Sequence, residues 1–301
     1  TTPYTLGFRK AYKITNGNNT NGAGASDYHE IVYKTEAQDL ANSGWNYLSS
    51  SSYITLSFWV KASVAQNYYF RFQTKDGTSY NYPMETGSLT ADTWTKITKT
   101  IPGASNLQID NDNGEGPKIA WSLFKGTNFT ASSVTLNQWA AYADGTQTPD
   151  QTTTWYTTND ATFEITGVQL EVGSQATAFE HRSFNEELTL CQRYYQSHKY
   201  GAYIGFNFMG RKSGSNTVVG VMHGIPPMRA AATGAFTGAF KLYRITDGTA
   251  ASPTGMNVAV INDDRFNAVK FTAACTTFST GNLATVYTSS SGGSYTLDAE
   301  L

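Results

Sequence analysis

Charge is scarce in this chain: Asp, Glu, Lys and Arg make up 15% of 301 residues, and their formal sum is -2. A nucleic-acid partner needs a concentrated basic footprint, which so small and balanced a charge excludes. Cysteine is nearly absent. Cys191 and Cys275 cannot build a disulfide framework and lack metal-site spacing, so both are expected as free thiols. No run of 18 apolar residues occurs, and membrane insertion is not expected. No secretory leader pattern is visible, and the chain opens on Thr1 rather than Met, as in a fragment or processed form. Leucine is sparse too. What is plentiful is aromatic: 19 Tyr, 16 Phe and 6 Trp, a share of 14% that excludes disorder. Thr, Ser, Asn and Gly are also abundant, a composition of β-sheets joined by polar turns. The length allows one large or two ordinary domains with a real core.

Strand signals recur along the chain. Tyr53-Ile-Thr-Leu-Ser-Phe-Trp-Val60 is β-branched and aromatic, and Tyr68–Gln73 alternates around Phe70 and Phe72. Asp76-Gly77 follows it and predicts a hairpin. Trp94–Ile101 alternates and stops at Pro102-Gly103; Lys118–Phe124 alternates as well. Trp59 and Trp121, inside strands, are expected in the core. Thr162–Val172 is the clearest strand, and its alternation changes phase at Gly167, which predicts a bulge there. Ser183-Phe-Asn-Glu186 has the capping-box pattern, and Leu188, Cys191 and Tyr194/Tyr195 follow at helical spacing, predicting a helix to about Gln196. Further strands follow, from Tyr200–Met209 to Tyr295–Leu301. The reading is all-β: a sandwich or jelly roll over 1–180, a linking helix over 181–196, and a C-terminal β-sandwich over 197–301.

Catalytic signatures are missing. There is no Gly-x-Ser-x-Gly elbow and no phosphate-binding loop, and His29, His181, His198 and His223 are scattered. Asp110-Asn-Asp-Asn-Gly-Glu-Gly116 is rich in oxygen ligands, but position twelve of a calcium loop would be Trp121, so a solvated hairpin loop is expected. No cofactor is expected, and structural calcium stays an open alternative. Glu85, Glu115, Glu164 and Glu171 would have to face each other in pairs to hydrolyse a glycosidic bond, and sequence cannot pair them. Sugar stacking on aromatics is the alternative chemistry. Trp45, Tyr80, Tyr82, Trp139, Tyr142, Trp155 and Tyr156 lie in or beside polar loops. The favoured ligand-binding set is Trp139, Tyr142, Asp144, Gln147 and Trp155, with Gly145 allowing a tight turn; the competing expectation is that Trp139 plugs one end of the sandwich. Asn18-Asn-Thr20 and Asn128-Phe-Thr130 match the glycosylation pattern, a triplet common by chance.

One stretch carries a resemblance. Gly167-Val-Gln-Leu-Glu171, then Phe179-Glu-His-Arg182, then Glu187-Leu-Thr-Leu-Cys-Gln-Arg-Tyr-Tyr195 resembles, in order and spacing, a segment of tailed-bacteriophage tail-fibre and related virion fibre proteins. Tyr53–Lys61 looks like the Ser-Phe-Trp-Val-Lys strand of carbohydrate-binding-module-like jelly rolls, and Ile31–Trp45 and the loop from Trp139 to Thr154 fit that module more loosely. Gly224-Ile-Pro-Pro-Met-Arg-Ala-Ala-Ala232 partly matches a turn of the fibre's terminal β domain, and Leu297–Leu301 looks like a fibre C-terminus. The resemblance implies a galactose-binding-like jelly roll at the distal end of a homotrimeric fibre, assembled in the bacterial cytoplasm beside other tail or fibre proteins. It implies host attachment through a surface glycan or protein receptor. It does not fix the ligand. The motif sits at a domain junction and reads as structural: Ser183 and Glu186 cap the helix, Arg182 and Arg193 are placed to pair with carboxylates, and Tyr194 and Tyr195 supply packing area. The apolar stretch Val218–Phe240 is expected to need cover from other copies. A purely structural virion appendage and a polysaccharide depolymerase are the alternative functions.

Overall fold

The computed structural model describes residues 2–19, 21–202, 205–214, 217–223, 226–263 and 266–301. The chain forms two units, Thr1–Glu180 with Leu301, and His181–Glu300. The fold is all-β.

In the first unit, nine strands make two sheets: β1 (Tyr12–Thr15), β2 (Tyr28–Glu36), β3 (Tyr53–Ala62), β4 (Asn67–Gln73), β5 (Tyr80–Ser88), β6 (Thr95–Pro102), β7 (Glu115–Lys125), β8 (Ala140–Ala141) and β9 (Thr162–Val172). Four pair in the order β1-β9-β3-β6 and five in the order β2-β7-β4-β5-β8. Short helices α1 (Ala37–Ala41) and α2 (Thr154–Thr157) lie in the connections. Alternation explains the sandwich. Ile54, Leu56, Phe58 and Val60 of β3 are buried, and so are Phe70, Phe72, Ile119 and Trp121 of the other sheet. The two sets meet ring to ring: Phe58 stands edge-on to Phe70 at 5.1 Å and to Trp121 at 5.6 Å. Each such buried side chain contributes roughly 1.5–3 kcal/mol. The same period corrects Trp59: with Phe58 inside, Trp59 points to the opposite face and is half-buried.

The expected hairpin is present, with β4 and β5 antiparallel around a left-handed Gly77 (φ +57°). The acidic stretch is different. It links β6 of one sheet to β7 of the other, so it is a crossing loop and not a hairpin. The bulge lies where alternation changes phase: Ser57 pairs with Gln169 and Trp59 with Thr166, so Gly167 and Val168 together oppose Phe58. Gly167 has φ +59°, and a Cβ there would come within 2.4 Å of the Phe8 ring, which packs edge-on against Phe179. The next motif residues form a clasp. Glu171 accepts from the Thr177 hydroxyl (2.7 Å) and backbone N–H (3.0 Å), and the Gln169 carbonyl accepts from Glu180 N–H (2.8 Å).

The second unit contains α3 (Phe184–Gln192) and eight strands: β10 (Tyr195–Tyr200), β11 (Gly205–Ser213), β12 (Thr217–His223), β13 (Thr233–Arg244), β14 (Ala250–Ala251), β15 (Gly255–Asp263), β16 (Phe266–Ala274) and β17 (Leu283–Asp298). They share one sheet in the order β10-β17-β11-β12-β16-β15-β13-β14, and an extra β13–β17 ladder closes six of them into a ring. This half is thus one sheet folded back on itself. Its core includes Val218, Leu242, Phe271, Val286 and Leu297. Leu283–Thr288 and Tyr295–Leu301, which the sequence reads as two strands, are joined in one continuous strand, β17. Both cysteines are free thiols, Cys191 exposed and Cys275 buried.

The capping box forms: Ser183 Oγ accepts from Glu186 N–H at 3.3 Å, and the Glu186 carboxylate accepts from Ser183 N–H at 2.8 Å. Arg182 pairs with Glu187 at 3.1 Å. The helix stops at Gln192 rather than Gln196, with Arg193 at its C-cap, because Tyr195–Tyr200 is drawn into a ladder with β17. The Arg193 carbonyl accepts from Arg229 N–H (3.0 Å), and Arg229 Nε donates to the Ala299 carbonyl (2.8 Å). Arg229 belongs to the Pro-Pro-Met-Arg turn, of which Gly224 and Ile225 lie outside the described residues.

Candidate functional site

The outer face of the five-stranded sheet carries an ordered array of side chains. Core residues Phe70, Phe72, Ile119, Trp121 and Tyr82 fix the phase, so the intervening residues point outward. Strand register aligns them in rows. Lys34, Lys118, Gln73, Asn81 and Ala140 form a row across all five strands. The next row is Val32, Ala120, Arg71 and Pro83; the third is Glu30, Ser122, Tyr69 and Glu85. In the middle row Ala120, Arg71 and Pro83 are buried, and Val32 is exposed.

A buried ion network anchors this face. Arg71 is only 2% exposed, and its guanidinium donates through Nη1 and Nη2 to the two Glu30 carboxylate oxygens. Lys125, 4% exposed, reaches Glu30 at 3.1 Å, and Ser122 Oγ donates to the same carboxylate at 3.2 Å. Burial alone would raise the Glu30 carboxyl, but Arg71 and Lys125 hold it below its usual value. Burial pushes the Lys125 ammonium down, against the pull of Glu30. Lys125 also lies 5.3 Å over the rings of Tyr28 and of Phe129. The segment after β7 folds over the array. Gln147 accepts from Lys125 Nζ through its side chain (2.8 Å) and from Asn81 Nδ2 through its backbone (2.9 Å). The Asn81 Oδ1 atom is buried without a hydrogen-bond partner.

Three of the five sequence-derived ligand residues come to this face. Tyr142 is half-buried, donates to Asp144 at 2.7 Å, and has its phenol pushed up to about 12 by burial and by that carboxylate. Asp144 is exposed and Gln147 is buried. The other two are corrected. Trp155 is 0% exposed, with its indole N–H on the Thr162 carbonyl, so it has no surface to offer. Trp139 packs edge-on to Phe72 and tilted against Tyr82, with its indole N–H on the Pro102 carbonyl at 2.8 Å. It plugs the sandwich. Trp45 and Tyr82 are buried, and Tyr80 and Tyr156 are half-buried. Sequence reasoning missed Glu30, Arg71, Lys118 and Lys125, although an arginine between two core phenylalanines was a usable signal: alternation turns it outward, and its neighbours exclude water.

The carboxylates weighed for hydrolysis each hold a different donor. Glu85 accepts from Asn67 (2.6 Å), Glu115 pairs with Lys34 (3.3 Å) and Glu164 with Lys61 (2.9 Å), while Glu171 forms the clasp. In the acidic loop, Asp112 accepts from Gly114 N–H (2.9 Å) and Asp110 from Gln108 (3.0 Å). Among the described residues no group of three His, Cys, Asp or Glu is placed to hold a metal ion.

No family model and no curated protein matches the chain. Among solved structures, the crystal structure of PBSX exported protein XepA is similar over 95% of this chain and 86% of that one, at 9% identity and a TM-score of 0.20. The structure of infectious bursal disease virus Gx strain is similar over 96% and 70%, at 10% identity and a TM-score of 0.14. Likenesses this weak carry no argument about function, which rests on the residues themselves.

Proposed function

We propose that this chain is a receptor-binding segment of a tailed-bacteriophage fibre, and that the first unit holds a host surface glycan on the outer face of its five-stranded sheet. The fibre reading is supported by the motif over 161–195, whose residues act as structure: a bulge, a clasp and a helix cap. One observation carries the binding reading. The outer face sets half-buried Tyr69, and beside it half-buried Tyr142 of the covering segment, next to side chains fixed by the Glu30–Arg71–Lys125 network. Aromatic area with a few preorganised polar groups suits a weak sugar site, and avidity of a trimer raises its effective affinity. The role is binding, not catalysis. The chain acts in the virion beside other tail or fibre proteins.

Adsorption tests this. Tyr142→Ala in the assembled protein should abolish adsorption to host cells with little change in melting temperature. Trp139→Ala should lower the melting temperature by removing a packed plug. Unaltered adsorption of correctly folded Tyr142→Ala would reject this surface as the receptor site.

The structural-appendage reading draws on the helix α3. None of its residues is buried, and Phe184 is 78% exposed. Nine residues are too few for an isolated helix to be stable in water, so α3 calls for packing from other copies of the chain. Assembly through α3 serves a binding tip and a passive fibre equally.

A further inference from the structure

Lys118 stands on the outer face, on the strand next to the edge strand β2, without a partner of its own. On one side its row continues to Lys34, and on the other to Gln73 and Asn81. Its side chain is half-buried, yet among the described residues it makes no side-chain hydrogen bond or ion pair. The nearby carboxylates are engaged: Glu115 with Lys34 at 3.3 Å, and Glu30 with both Arg71 and Lys125. Burial pushes the Lys118 ammonium below the ordinary lysine value, and the charges of Arg71 and Lys75 push the same way. A partly desolvated cation beside two others is stabilised by an incoming anion, and the interaction is strengthened by the low local dielectric.

We propose that Lys118 is the recognition point for an anionic substituent, a sugar carboxylate or phosphate, on the glycan held by the outer face. This rests on the glycan-binding reading above and narrows it to acidic glycans. Arg71 and Lys125 do not compete for the anion, because their side chains are only 3% exposed and both are held on Glu30.

The test uses the full chain as wild type, Lys118→Met and Lys118→Arg. Each is titrated by calorimetry with an oligoglucuronate, with its carboxyl-reduced neutral counterpart, and with an oligosaccharide carrying phosphate in place of carboxylate. Wild type should prefer an anionic ligand over the neutral one by about tenfold or more, the weight of a charge-assisted hydrogen bond. Lys118→Met should lose that preference at an unchanged melting temperature, and Lys118→Arg should keep it. The tighter of the two anionic ligands identifies carboxylate or phosphate as the natural group. Equal binding of neutral and anionic ligands, or a preference that survives in Lys118→Met, overturns the inference. In that case neutral binding lost in Tyr142→Ala leaves the glycan-binding reading standing. Binding of none of the three to wild type removes both.

Discussion

Gly167 shows how much one residue can hold. Its positive φ and the Phe8 ring over its missing side chain both resist a Cβ. Gly167→Ala should therefore cost about 1–3 kcal/mol, read as a lower melting temperature of the first unit. Phe8→Ala in the same chain should recover the steric part. Glu30 is a second such position. Its folded pKa lies below the ordinary 4.5, so its contribution to stability is complete above that value and is lost as pH falls through the lower folded one. Glu30→Gln leaves Arg71 and Lys125 buried without a counter-charge, at a cost of about 3–5 kcal/mol. Thermal melts from pH 7 to pH 3 should show wild type losing stability below about 4.5, and the variant starting lower with a shallower decline. Gly167 was legible in the sequence because a bulge breaks a two-residue period. Glu30 was not, because it is charged, lies on an edge-side strand and gains meaning only through register with Arg71 and Ser122, partners far away in the chain.

At the level of elements, local rules fixed the starts and tertiary pairing fixed the ends. The Ser183 cap is local and was readable from four residues. Ser183→Ala should cost about 1 kcal/mol, seen as a fall in the midpoint of the second unit; an unchanged midpoint would show that the cap does not matter to its stability. The far end of α3 was misplaced, since helical spacing continues into Tyr194 and Tyr195 while the ladder with Asp298 takes the backbone away. Strands with strong alternation, such as β3, β4 and β9, were plain. The two C-terminal strands were split at a Ser/Gly run that reads as a turn, yet β17 passes through it, with Gly292 at φ +71° opposite a register shift in β13. Trp139 and Trp155 were chosen for loop position, and that criterion fails when a large apolar ring can find a gap in the core.

At the scale of the whole molecule, the proposed assembly needs an exposed apolar surface. Of the stretch Val218–Phe240, Val218, Met228, Ala232 and Phe240 are buried within their own unit, while Ala231, Ala235 and Ala239 are exposed. In α3, Phe184, Leu188 and Leu190 are exposed, and the proposed assembly would cover them. Light scattering at micromolar concentration should give three times the chain mass of 32.8 kDa. Phe184→Ser with Leu188→Ser should return the protein to one chain. A wild-type mass of 32.8 kDa would refute self-association.

The ring of the second unit also sets an order of events in synthesis. β17 is hydrogen-bonded to β10, β11 and β13, and it is the last of them to leave the ribosome. Until it emerges, those three strands have edges with no partner, and such edges invite pairing with neighbouring nascent chains. The first unit meets no such delay, for all of its strands are already translated. Under the proposed assembly, chains made side by side on one message would hold unfinished second units near one another while their first units are already folded.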